Sequence, residues 1–170
     1  MSTFRILKKS FVIAFRSTRR VTAFIIIYAI LTFTTAYSLE KGDPQMQLIA
    51  LLGGFMVASV YGILLSQFRK KDVAILKCIS WGNSHILLLL VGEIFIVSLM
   101  SFILTLEIII HIQGISFYFP SLLALAQDLV FRGDTLLMTF FLVVFFQVPG
   151  VILANFRATR ISPMSALRNE

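Results

Sequence analysis

The chain has 170 residues, enough for one ordinary domain, but 58% of them are apolar and 14% charged, with a mean hydropathy of +0.93. Soluble domains carry about a quarter charged residues, so this composition excludes a soluble fold and a disordered chain, and a single cysteine excludes a disulfide-stapled one. The net charge of +7, from 15 Lys+Arg against 8 Asp+Glu, reads as a record of membrane topology and not of nucleic-acid binding.

Residues 3–18 pattern as an amphipathic helix, with Phe4, Leu7, Phe11, Ile13, Ala14 and Phe15 against Arg5, Lys8, Lys9 and Arg16. Such a segment, within an interfacial unit at 1–20, would lie in the head-group layer on the cytoplasmic side. A hydrocarbon core takes about 20 helical residues to cross. Four runs meet that length, at about 21–39, 47–66, 86–113 and 135–154. The first starts too late and runs too long for a cleaved signal peptide, so it is expected to be an uncleaved span. Pro149, inside the fourth run, is expected to kink its last turns.

Between the second and third spans, Arg69, Lys70, Lys71 and Asp72 open a short helix at about 70–79. Val73, Leu76 and Ile79, with Ile75 beside them, make an apolar stripe at three- to four-residue spacing, and Lys70, Lys71 and Lys77 carry the charge. Ser80, Trp81, Gly82, Asn83 and Ser84 break the helix, with Gly82 suited to a left-handed cap and Asn83 or Ser84 to the next N-cap. Trp81 suits an interfacial anchor. The loop at 114–134 carries Phe117, Tyr118 and Phe119, then Pro120 and a short apolar helix, a pattern that suits the opposite interface.

Thirteen of the fifteen basic residues fall in the N-terminal segment, the middle loop and the tail at 155–170, leaving Lys41 and Arg132 on the other side. The positive-inside rule then makes both termini and the middle loop, including Cys78, cytoplasmic, in a multi-pass protein of the cell membrane. Together these readings predict an all-α integral membrane protein with four transmembrane helices.

Chemistry is sparse. No phosphate-cradling G-x-x-x-x-G-K-[ST] loop, metal constellation or nucleophile with a base partner occurs, so neither a catalytic site nor a cofactor is expected in this chain. The residues made costly by the bilayer are Glu93 and Glu107. Glu107 and His111, spaced i, i+4, can pair or reach water near the outer end. Glu93 is either a proton or substrate site or a structural contact buried against another helix or a second protomer, and the structural reading is the one preferred. Gly53, Gly54, Ser59 and Gly62 would let another helix approach closely, which points to packing, dimerisation included.

Two stretches carry a resemblance. Residues 69–93, RKKDVAILKCISWGNSHILLLLVGE, look like the signature of the FtsX/MacB-type ABC transporter permeases, in which a charged cluster, a short helix and a polar break lead to a helix with an early Glu. Residues 149–170, PGVILANFRATRISPMSALRNE, are similar to that family's C-terminal ending, with Ile161, Pro163, Met164, Ala166, Leu167, Arg168 and Glu170 in register. The resemblance covers about residues 47–170 and implies a permease domain over 21–170. The chain departs from the family where Ser80 replaces a common Gly, Gly82 being expected to supply the flexible position. It departs again where about seven residues, 40–46, replace a large extracytoplasmic domain.

The resemblance implies that residues 70–79 form a coupling helix docking on a separate cytoplasmic ATP-binding subunit, which binds ATP-Mg. Lys70, Lys71, Asp72, Val73, Ile75, Leu76, Lys77, Ile79 and Trp81 would make that contact, with Ile75, Leu76 and Ile79 as anchors. Pro163, Leu167, Arg168 and Glu170 would lie near the same interface. It also implies a second permease chain, identical or related. The missing domain leaves a lipid-like or membrane-embedded substrate, or an extracytoplasmic partner protein to which motion is relayed without transport. From the residues alone, an unrelated four-helix channel using Glu93 is a third reading.

Overall fold

The computed structural model describes residues 18–159. The lead-in segment before Thr18 and the tail from residue 160, with Pro163, Leu167, Arg168 and Glu170, lie outside the described residues. The fold is all-α. Four long helices, α1 (Thr18–Lys41), α2 (Pro44–Phe68), α4 (Asn83–Ser116) and α6 (Gly133–Thr159), are long and apolar enough to cross a membrane, as the hydropathy pattern predicts. A short α3 (Lys70–Cys78) joins α2 to α4, and a 3-10 turn (Pro120–Leu122) runs into α5 (Leu123–Asp128) before α6.

α2 and α4 overrun their apolar runs at both ends, because caps and not hydropathy set those ends. The connection expected over 40–46 shrinks to Gly42 and Asp43. Gly42 takes the left-handed backbone (φ +68°) that lets α1 stop abruptly. The Asp43 carboxylate then accepts from the Gln45 amide at 3.0 Å, with Pro44 at the first helical position of α2. In α6 the helix continues through Pro149.

Around the bundle the order is α1, α2, α6, α4, and α1 also touches α6 across the middle. The closest seam is α2 on α6. Gly54, Ala58 and Gly62, one turn apart on α2, face Phe146 and Gly150 of α6. A Cβ on Gly150 would lie 2.5 Å from the Ala58 carbonyl oxygen, and one on Gly62 would overlap the Gly150 backbone. Without a hydrophobic driving force between helices in lipid, such close backbone approach is what holds them together. The small-residue stripe read from the sequence is therefore used inside the chain at Gly54 and Gly62. At Gly53 a Cβ would meet nothing within 4 Å.

The α1–α4 seam is different in kind. The Thr105 hydroxyl donates across it to the Ala29 carbonyl at 3.2 Å, and on the α4–α6 side Gln147 donates to the Ser98 hydroxyl. These bonds pin register. Counting equally from Ala29 and Thr105 sets Thr18 level with Ile94 at one end and Lys41 level with Phe117 at the other. The core between the helices is built around Tyr28, Leu90, Val97 and Tyr61, with Tyr28 and Tyr61 edge to face at 5.5 Å. Outward, Ile49, Met56, Phe141 and Phe145 are each about two-thirds exposed, an apolar belt no soluble monomer displays.

A side chain larger than hydrogen at the α2–α6 crossing should split the bundle. Gly150→Val and Gly62→Val are expected to lower the thermal midpoint of the purified protein sharply or abolish a monodisperse species. Gly53→Ala should hold or raise the midpoint, since removing an open helix glycine gains about 0.5–1 kcal/mol.

Candidate functional site

The end of the bundle that carries most of the basic residues is organised by Arg69. It is at once the last cap of α2 and the N-cap of α3, and the backbone ladder passes straight through it: its amide donates to Leu65 (2.9 Å) and its carbonyl accepts from Val73 (2.8 Å). Its side chain turns inward. Nε donates to Glu93 Oε2 at 3.0 Å and Nη2 to Oε1 at 2.7 Å, a two-pronged pair with α4, while Nη1 donates to Asp72 Oδ2 at 3.1 Å. The Arg69 and Glu93 side chains are 7% and 3% exposed. Burial works to lower the Arg69 pKa, but its bonds to Glu93 and Asp72 more than offset it and the guanidinium is held above its ordinary value.

Of the two sequence readings of Glu93, the geometry supports the structural one, within this chain. Both carboxylate oxygens accept from Arg69, so the carboxylate is engaged by a cation of the same chain. A cavity of about 20 Å³, room for one water, adjoins the pair and is lined by Arg20, Tyr61, Phe68, Arg69 and Glu93. Arg20 lies over the Phe68 ring at 4.7 Å. Arg20, Phe68, Arg69 and Glu93 therefore share one level at the boundary of the apolar belt.

Beyond that level stands a helical hairpin. α4 overshoots the boundary by residues 83–93, about 15 Å of helix, and α3 meets this overhang through side chains at separate points and not along a continuous helix–helix seam. Arg69 meets Glu93 at its base, and Leu76 meets Leu89 higher up. The tip is a Schellman motif: the Ser80 amide donates to Lys77 at 3.1 Å, the Trp81 amide to Leu76 at 3.0 Å, and the Trp81 ring packs on Leu76 as that motif's hydrophobic contact.

Three sequence expectations change here. Ser80, not Gly82, takes the left-handed backbone (φ +65°), because the Leu76–Trp81 contact fixes which residue must sit between them. Gly82 is extended and its carbonyl, with no help from the Asn83 or Ser84 side chains, caps α4 by accepting from His85 and Ile86. Leu76 is not an outward anchor, since it is buried against Leu89 of α4, with Trp81 half-buried beside it; Val73 and Ala74 are buried as well, Val73 within the core of the bundle. Ile75 and Ile79 do face outward, at 46% and 59% exposed, on one face with Lys71 and Cys78. Lys70 is exposed, while Asp72 and Lys77 are half-buried.

Glu107 is far from this site, exposed on α4 and 3.7 Å from His111. Among the described residues no group of His, Cys, Asp and Glu could hold a metal ion. Arg69 as the partner of Glu93 is the residue that sequence reasoning missed. The available signal was that a buried carboxylate requires a cation, and that a hairpin turning at 80–82 sets position 69 opposite 93. Compared with known proteins, the chain matches no family model and no curated protein.

The pair predicts a lopsided mutational cycle. Arg69→Met or Glu93→Met alone strands a buried charge and is expected to cost about 3–5 kcal/mol, whereas the double substitution should recover most of that loss. Thermal unfolding of the purified variants measures both. Equal, additive losses in the two single variants and the double would show that the charges do not act as a pair.

Proposed function

We propose that this protein is the membrane-spanning permease subunit of an ABC-type complex resembling the FtsX/MacB permeases. It couples ATP hydrolysis by a separate cytoplasmic ATP-binding subunit to movement of its own helices, and acts on a lipid-like or membrane-embedded substrate. The observation that carries this reading is the clamped hairpin. A soluble motor can move a membrane helix only through an element that does not yield, and α3 is tied to α4 at its base by Arg69–Glu93, at one point nearer its end by Leu76 on Leu89 and at its tip by the Schellman motif. Its outward face, Ile75 and Ile79 flanked by lysines, has the form of a small apolar anchor with a basic rim.

Two further features support the reading. The position where the resembling family commonly carries Gly is Ser80, the residue whose backbone is left-handed, so the resemblance falls on a position with a steric reason for glycine. The charge distribution supports a hairpin end on the cytoplasmic side of the cell membrane, the side on which ATP is available. ATP-Mg is bound by the partner, and a second permease chain completes the complex. With only Gly42 and Asp43 between α1 and α2, no extracytoplasmic domain stands there to grip a large soluble cargo.

Ile75→Asp combined with Ile79→Asp tests the reading. The variant is expected to insert and fold normally, because both side chains are outside the core, but to lose copurification of an ABC-type ATP-binding protein and its ATPase activity from native membranes. Undiminished recruitment and activity would exclude the hairpin as the coupling element.

A further inference from the structure

We propose that Phe117, Tyr118 and Phe119, together with Leu122 and Leu123, form a lipid-interface anchor at the end of the bundle opposite the hairpin, with the aromatic rings set in the head-group and upper acyl layer of the bilayer. Phe117 and Tyr118 are 85% and 84% exposed, and Phe119 58%. Three successive aromatic side chains standing that far out need a partner that is not water.

Position identifies the partner as lipid. The Thr105–Ala29 bond sets Phe117 level with Lys41, where α1 ends in charged residues and the apolar belt stops. Lower on the same helix, Ile110 and Ile115 are exposed as part of that belt, with the exposed Glu107–His111 pair beside them, and the aromatic segment stands at its outer edge. The polar groups of the loop are tied to the ends of α1 and α4 and not to the aromatic segment. Gln113 donates to the Leu129 carbonyl at 3.2 Å, Lys41 to Asp128 at 2.8 Å, and the Arg132 amide to Glu40 at 3.2 Å. The segment is also held in shape, with Leu122 donating its amide to Phe119 across Pro120 at 2.9 Å. Aromatic residues at the level where hydrocarbon meets head groups are favoured because a ring presents an apolar body and, in tyrosine, a polar tip to that layer.

The chain has one tryptophan, which makes a clean test possible. In a Trp81→Phe background, Tyr118→Trp and Phe119→Trp are prepared separately and reconstituted into phosphatidylcholine vesicles with or without bromine on the upper acyl chain. Met56→Trp, on the exposed mid-span face of α2, serves as the lipid-facing control. Both loop reporters are expected to lose most of their emission in brominated vesicles and to respond weakly to aqueous iodide. Emission indifferent to bromolipid but quenched by iodide would put the segment in water and overturn the proposal. Emission indifferent to both would mean that protein covers the rings, which overturns it equally. Either reporter suffices if the other variant does not fold.

Discussion

The architecture turns on one buried ion pair. A carboxylate and a guanidinium removed from water each carry a desolvation cost of several kcal/mol, and they are tolerable together only in near-ideal, fully bonded geometry. Arg69 and Glu93 meet that condition through two parallel bonds, and Asp72 takes a third donor. Because Arg69 is also the backbone junction of α2 and α3, the pair fixes where α2 ends, the direction from which α3 leaves, and which part of α4 the hairpin lies against. α2 and α4 sit across the bundle from one another, so the pair ties together helices that are not major packing neighbours.

Below the pair, the bundle is held by two kinds of contact. The α2–α6 seam is backbone on backbone, where glycines leave no side chain to adjust and sliding is blocked by carbonyl groups. The seams of α4 are pinned instead by hydroxyl and amide hydrogen bonds at single levels, Thr105 to Ala29 and Gln147 to Ser98. These bonds set register within seams that are otherwise packed side chain on side chain, with Phe95 and Phe102 of α4 against Phe140 of α6.

The four spans were legible in the sequence because in lipid the apolar run is the structural element, and the short helix before α4 was legible from charge and spacing. What escaped was set by contacts between segments. Periodicity put Leu76 and Ile79 on one stripe, but only the presence of α4 alongside α3 decides that Leu76 is buried and that Ile75 and Ile79 are outward. Glycine preference pointed to Gly82 for the left-handed turn, yet the Schellman contact between Leu76 and Trp81 imposes it on Ser80. Glu93 was recognisable as costly, while its partner lies 24 residues away, beyond the reach of local spacing. The glycines of α2 were recognisable as a packing face, and the identity of the helix that packs there, α6, needed the fold.

The central claim, that Arg69–Glu93 holds the hairpin as a rigid unit on α4, is tested most directly by amide hydrogen exchange in reconstituted protein, comparing the natural chain with Glu93→Gln. The account predicts that amides of α3 and of the first turns of α4 lose protection in the variant while the α2–α6 seam keeps its own. Unchanged protection in α3, or a uniform loosening of all four spans, would contradict it.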